Sequence, residues 1–86
     1  MSDAQLRDAI CSQVAKLLRE TRQDRGLSMT QLAERAGLSR AMVSFVEREI
    51  RNPTLETLLR MCAALDIQLA DILSRATRTA SKSKDS

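Results

Sequence analysis

Four side chains between residues 40 and 45 combine a positive charge, a small apolar group, a hydroxyl and an aromatic ring: Arg40, Ala41, Ser44 and Phe45. Their spacings of one, three and four residues place them on one stripe if the segment is helical. A guanidinium can donate two hydrogen bonds to a guanine, and methyl or ring carbons can contact a thymine methyl group. The stripe is therefore typical of a helix that contacts base edges. The alternative is an ordinary solvated helix face in a bundle.

The surrounding residues predict two short helices joined by a tight turn, over residues 28–48. Ser28 followed by Gln31 has the capping-box spacing of a helix start. Gly37 permits the left-handed conformation at which helices commonly end, and Ser39 can cap a second helix over residues 39–48. This arrangement is typical of a helix-turn-helix, whose second helix fits the major groove of DNA. Apolar residues mark one face of each helix: Leu32, Ala33 and Ala36 in the first, and Val43 and Val46, with Met42 at the edge, in the second.

Further motifs flank this pair of helices and extend over most of the chain. They are Arg22, G-L-S at 26–28, Q-L-A-E-R-A-G-L-S-R at 31–40, V-S at 43–44, V-E-R at 46–48, R-N-P-T-L-E-T-L at 51–58 and A-L-D-I-Q-L-A-D-I-L at 64–73. With these motifs, the chain from about Val14 to Leu73 resembles the lambda-repressor/Cro-like family of bacterial DNA-binding domains, often called the Xre family. The resemblance implies an all-α fold, a compact five-helix domain with a long first helix, and DNA binding.

The resemblance also implies a partly buried ion pair between Arg22 and Glu47 that braces the second helix of the motif. The alternative is two separate surface charges. We expect base contacts from Arg40, Ala41, Ser44 and Phe45, and phosphate contacts from backbone N–H groups and side chains at helix starts and in a connector. The phosphate-contacting residues are Ser28, Met29, Thr30, Ser39, Arg48, Arg51 and Asn52.

Three residues depart from the family pattern. Met29 stands where a glutamine often reaches a phosphate. Glu49 stands where glycine usually follows the second helix of the motif, so the turn there must differ or be strained. Phe45 stands where a polar residue is common, and its ring can contact a base, contact a partner or fold back onto the core.

Length and composition limit the possible classes of protein. Eighty-six residues, of which 43% are apolar and one is aromatic, form one small domain with an aliphatic core. No apolar run of membrane-spanning length and no signal peptide is present, which predicts a cytoplasmic protein without membrane contact. Two cysteines and no histidine predict neither a disulfide framework nor a metal site, and we expect both cysteines to pack as small hydrophobes. No catalytic constellation is recognisable, so we expect no enzyme and no cofactor.

The remaining segments predict three more helices and a tail. The first helix runs from Asp3 to Arg25, and its additional N-terminal turns carry Leu6 and Ile10, which pack either on the domain or on a partner subunit. Thr54 caps a fourth helix, and Ile67 opens a short fifth one. Apolar stripes follow Leu55, Leu58, Leu59, Cys62 and Leu65 in the fourth helix, and Leu69, Ile72 and Leu73 in the fifth.

The chain therefore divides into a predicted DNA-binding domain at residues 1–74 and a basic tail at residues 75–86 that is frayed or disordered from Ala76. The tail accounts for the whole formal charge of +3. Its cations either neutralise phosphates without sequence preference or only solubilise the protein. They are Arg75, Arg78, Lys82 and Lys84.

The predicted function is sequence-specific binding of a double-stranded DNA operator by a homodimer that acts as a transcriptional repressor or controller protein. Candidate dimer surfaces are the fifth helix and the N-terminal turns with Leu6 and Ile10. The alternative from another class is a protein-interaction module with a protein partner, such as the antitoxin of a toxin–antitoxin pair, in which DNA binding is secondary.

Overall fold

The computed structural model describes residues 2–84, which contain five helices and no strand. The helices are α1 (Asp3–Asp24), α2 (Met29–Ala36), α3 (Arg40–Glu47), α4 (Leu55–Ala64) and α5 (Leu69–Lys84). The predicted all-α, five-helix architecture with a long first helix is confirmed. No helix in the described part of the chain is long and apolar enough to cross a membrane.

The first four helices begin at a hydroxyl residue in extended backbone. Ser2, Ser28, Ser39 and Thr54 each accept a hydrogen bond at the side-chain oxygen from the N–H three residues on. This bond satisfies one of the donors that a helix start leaves without a partner. The predicted caps at Ser28, Ser39 and Thr54 are therefore confirmed, and Ser2 is the N-cap of α1.

A residue in the left-handed region follows the C-terminal end of each of these four helices. These residues are Gly26, Gly37, Glu49 and Asp66, with φ between 57° and 69°. In each case the N–H of the left-handed residue donates to the carbonyl three residues back, and the next N–H donates to the carbonyl five residues before it. This pair of bonds satisfies carbonyls that the helix end would otherwise leave free.

The core lies between the two long helices and the three short ones. α1 packs most extensively against α5 and also contacts α3, while α2 contacts α3 and α4. Ala33 and Ala36 are buried on α2, where their small side chains let neighbouring helices approach closely. The largest fully buried side chains are Leu18, Leu32, Val43, Met61, Cys62, Leu65 and Ile72.

The predicted tail is wrong for residues 76–84, because α5 continues to Lys84. Ile72, Ala76 and Ala80 are almost completely buried and recur every four residues, so one face of α5 stays in the core beyond Ser74. The fifth helix is therefore long. The sequence pattern missed it because alanines supply the buried face. Residues 85 and 86 of the predicted tail lie outside the described part of the chain.

The predicted apolar stripes are wrong at three leucines. Leu55 and Leu59 on α4 and Leu73 on α5 are 65%, 51% and 40% exposed. The buried residues of α4 are Thr57, Met61 and Cys62. The five apolar positions predicted for this helix cover a wider part of its circumference than the side that faces the core.

The extra turns of α1 and the two cysteines have mixed surroundings. Leu6 and Ile10 are half-buried, and Ile10 packs against the core of its own chain. Cys62 is buried in the core, whereas Cys11 is exposed, so the prediction that both cysteines pack as small hydrophobes is wrong for Cys11.

Candidate nucleic-acid interface

The helix α3 has a buried side and an exposed side. Val43, Val46 and Glu47 are at most 2% exposed, whereas Arg40 and Ala41 at its first turn are exposed. The predicted span of 39–48 differs from α3 only at the ends, where Ser39 and Arg48 are the caps. α3 is therefore held along one side and presents its N-terminal turn outward.

An arginine from α4, Arg60, contacts the turn between α2 and α3. Gly37 has φ 68°, a conformation that an L-residue other than glycine rarely adopts. A Cβ atom at Gly37 would lie 3.0 Å from Nη1 of Arg60, and the same nitrogen donates to the Ala36 carbonyl at 3.4 Å. The backbone conformation therefore favours glycine at this turn, whereas the space does not, because a Cβ would displace only the end of the Arg60 side chain.

The ion pair implied by the resemblance is present in the structure. Nε of Arg22 donates to Oε2 of Glu47 at 2.7 Å, and Nη2 donates to Oε1 at 2.9 Å. A third bond runs from Nη1 to the Leu27 carbonyl at 2.8 Å. The hydrogen bonds that Arg22 donates to the Glu47 carboxylate, together with its negative charge, raise the pKa of Arg22, although burial opposes this. One side chain thus joins α1, the α1–α2 loop and the end of α3.

The four predicted base-contacting residues divide by exposure. Arg40 and Ala41 are exposed, while Ser44 and Phe45 are half-buried. The Phe45 ring lies outside the core cluster, and the Arg51 guanidinium carbon lies over it, 4.9 Å from the ring centroid. Of the three environments considered for Phe45, packing onto the core is therefore not what the structure shows.

At the start of α2, the capping box determines which groups remain available for a phosphate. The Ser28 N–H donates to Oε1 of Gln31 at 2.9 Å, and the Ser28 hydroxyl oxygen accepts the Gln31 N–H at 3.1 Å. Among the described residues, the N–H groups of Met29 and Thr30 have no partner. The Ser28 hydroxyl can still donate its own hydrogen. The Met29 side chain is half-buried against the core, so Met29 offers its backbone.

The start of α3 repeats this arrangement without a full capping box. The Ser39 hydroxyl oxygen accepts the Met42 N–H at 3.0 Å, which leaves the hydroxyl hydrogen and the N–H groups of Arg40 and Ala41 directed out of the helix end. Ser39 is exposed, and its place at the N-terminus of α3 suits an anion.

The connector after α3 carries the other predicted phosphate contacts. Arg48, Arg51 and Asn52 are all exposed. The connector turns sharply at Glu49, which has φ 59° in the place where the sequence predicted a strained or altered turn. The Ser12 hydroxyl on α1 donates to Oε1 of Glu49.

Three positioning side chains were not predicted from the sequence. They are Ser12, which contacts Glu49; Arg60, which closes the α2–α3 turn; and Arg25, whose Nε donates to the Leu65 carbonyl at 2.9 Å. Their partners lie 37, 24 and 40 residues away. Helical period and capping patterns are local, so neither could indicate these contacts.

Two short helices joined by a tight turn, the second of which has one buried and one exposed side, form the arrangement of helix-turn-helix DNA-binding proteins. The Helix-turn-helix family model matches residues 18–72. The chain belongs to this helix-turn-helix family, and the resemblance found from the sequence motifs is confirmed.

The chain is also similar to individual proteins over most of its length. The chain is 39% identical over 64 residues to the immunity repressor protein of Bacillus phage phi105, covering 74% of this chain and 44% of the repressor. It is 40% identical over 62 residues to control protein C.SmaI of Serratia marcescens, covering 72% of this chain and 74% of that protein. The chain thus spans less than half of the phage repressor.

A solved structure shows the same fold. The restriction-modification controller protein C.AhdI from Aeromonas hydrophila superposes with a TM-score of 0.68 at 38% identity, covering 73% of this chain and 94% of that chain.

Proposed function

We propose that this protein binds an operator in double-stranded DNA as a homodimer, with α3 in the major groove, and thereby represses or controls transcription. The observation that carries the proposal is the division of α3 into two sides, with Val43 and Val46 in the core and Arg40 and Ala41 outside. A helix-turn-helix places the exposed N-terminal part of its second helix against base edges.

Base recognition is assigned to Arg40, Ala41, Ser44 and Phe45. Arg40 is the first residue of α3 and is exposed, so its guanidinium can approach a guanine edge with two donors. Ala41 and Phe45 offer carbon atoms to a thymine methyl group, and the half-buried Ser44 offers a short hydroxyl that can donate or accept.

Phosphate contacts are assigned to three places around α3. At the start of α2 they use the Ser28 hydroxyl and the open N–H groups of Met29 and Thr30. At the start of α3 they use Ser39. In the connector they use Arg48, Arg51 and Asn52, which are exposed. Backbone N–H groups fix register on the duplex without carrying sequence information, so these residues set affinity and orientation.

A second copy of the chain is needed because one α3 is short. Eight residues of helix are about 12 Å long, and one such helix reads few base pairs. Dimers double the site by presenting two recognition helices about 34 Å apart. The exposed leucines of α4, Leu55 and Leu59, lie one turn apart on one face, and we assign this face to the second copy.

The fifth helix, one of the two surfaces predicted for the dimer, offers fewer exposed apolar side chains. Ile72 is buried, and Ile67 and Leu69 pack against the core of their own chain. Leu73 alone among the fifth-helix candidates is exposed.

The repressor and control-protein relatives favour a regulator over an antitoxin-like interaction module. We infer that the protein acts by binding rather than by catalysis, in the cytoplasm where its DNA partner lies.

Selection of bound sequences from a random duplex pool tests the proposal. The selected duplex is then compared with a scrambled one by fluorescence anisotropy at two salt concentrations. The proposal requires that the selected duplex binds at least about a thousandfold more tightly than the scrambled one. It also requires that the affinity for each duplex falls as the salt concentration rises. Equal affinity for the two duplexes would reject sequence-specific regulation.

A further inference from the structure

We propose that Phe45 and Arg51 form one DNA-contacting unit, in which the ring supports the guanidinium in the orientation that binds a phosphate. The inference rests on the proposed DNA-binding function and changes the role of both residues. Phe45 becomes a positioning residue for a phosphate contact, in addition to any base that its edge reaches.

The geometry of the two side chains carries the inference. The guanidinium carbon of Arg51 lies 4.9 Å from the Phe45 ring centroid. A guanidinium is planar, and its five N–H donors lie in that plane. Its flat face can therefore rest on the ring while its donors remain free for an anion, which a lysine ammonium cannot do in the same way.

The backbone holds the two residues together independently of the ring contact. The N–H of Ile50 donates to the Phe45 carbonyl at 2.9 Å, and the N–H of Arg51 donates to the same carbonyl at 3.4 Å. The left-handed Glu49 turns the chain so that Arg51 returns over the end of α3. Phe45 is half-buried and Arg51 is exposed, so the guanidinium lies on the solvent side of the pair.

Preorganisation gives the pair its expected effect. A free arginine side chain loses rotamer freedom when it binds a phosphate, whereas an arginine already resting on a ring has lost part of it. Ordering one rotamer-rich side chain at an interface weakens a binding constant by about two- to tenfold, and the ring supplies part of this ordering before DNA binds. Removal of the ring should weaken the contribution of Arg51 to DNA binding by a similar factor.

A double-mutant cycle in DNA affinity tests the inference, with Phe45→Leu, Arg51→Ala and the double variant measured on a scrambled duplex at low salt. Arg51→Ala should cost about two- to fivefold less in the Phe45→Leu background than in the wild-type protein. Arg48→Ala is the matched control, because Arg48 is an exposed arginine at the end of the same helix without a ring contact among residues 2–84. It should show no coupling to Phe45→Leu, whereas Phe45→Tyr, which keeps the ring, should retain the coupling to Arg51.

A second measurement separates this inference from the proposed function. NMR of the free protein should show Arg51 side-chain protons shifted upfield by the ring current, and the shift should vanish in Phe45→Leu. DNA binding by the wild type without coupling between residues 45 and 51 would overturn the inference alone. Coupling in thermal stability but not in affinity would overturn it too, because the pair would then be only structural. No binding to any duplex would overturn both proposals.

Discussion

Arg22 and Glu47 form a two-point ion pair across 25 residues of the chain, and the side chain of Glu47 is completely buried. The Arg22 guanidinium also bonds the Leu27 carbonyl. Because Glu47 is the last residue of α3, this one arginine ties the orientation of the proposed recognition helix to α1.

Arg22→Ala should lower the free energy of unfolding by about 3–5 kcal/mol, because it leaves a buried carboxylate without its partner. Arg19→Ala is the control, since Arg19 is exposed on the same helix, and it should change stability by no more than about 0.5 kcal/mol. Urea denaturation followed by circular dichroism measures both. Equal midpoints would mean that the pair does not brace the fold.

Arg40→Ala should cost about 1–3 kcal/mol on the selected duplex and relax preference at one base position in each half-site. Arg51→Ala should weaken binding to selected and scrambled duplexes about equally and lower the salt slope by about 0.9. Anisotropy titrations on both duplexes compare the two variants. If Arg40→Ala weakens binding to both duplexes equally, Arg40 contacts a phosphate, and specificity has to come from Ser44, Phe45 or DNA shape.

The pair of changes Leu55→Glu and Leu59→Glu should shift the protein from dimer to monomer and weaken operator binding, because charges would enter an apolar interface. Both leucines are more than half exposed, so the fold should tolerate the changes. Leu73→Glu is the control on α5 and should leave the dimer intact. Sedimentation velocity distinguishes the outcomes, and a monomer produced by Leu73→Glu alone would move the interface to α5.

Ala76→Glu should destabilise the domain by about 3 kcal/mol or more, because it inserts a long charged side chain into a filled part of the core. Ala76 is 0% exposed. Its neighbour Thr77 is exposed on the same helix, and Thr77→Glu should have little effect. Thermal melts of the two variants test whether α5 is part of the folded domain. Equal melting temperatures would restore the original prediction of a tail.

Ser12→Ala should destabilise the wild-type protein by about 1 kcal/mol, the size of one exposed hydrogen bond. The same change should have no effect in a Glu49→Gly background, which lacks the carboxylate that Ser12 contacts. Glycine at position 49 also removes the cost of a left-handed glutamate, about 1–2 kcal/mol. In Glu49→Gly alone, this gain in stability should nearly cancel the loss of the hydrogen bond to Ser12. A full cost of Ser12→Ala in both backgrounds would contradict the contact.

Local chemistry made much of this fold predictable. Hydroxyl residues followed by a helical period gave the starts of α2, α3 and α4, and Gly37 gave the turn between the motif helices. Each of these features depends on residues within a few positions of one another, which is the range over which capping and turn conformation act.

Long-range packing set the limits of prediction. Ala76 and Ala80 are weakly apolar, so their helical spacing became meaningful only when α1 was present to cover them. Leu55 and Leu59 fit a buried stripe as well as Leu58 does, and only the position of the neighbouring helices decides which side of α4 is covered. The contact between Ser12 and Glu49 joins residues 37 apart, beyond the reach of any local pattern.

The two-sided construction of α3 separates the residues that the helix needs for folding from the residues that we propose to contact DNA. Val43, Val46 and Glu47 supply the packing and the ion pair. The side chains of Arg40 and Ala41 are exposed, so substitutions there do not disturb the core. Operator preference can therefore diverge between descendants of one ancestral protein with little loss of stability. A library randomised at positions 40 and 41 should yield many folded members with different binding sites.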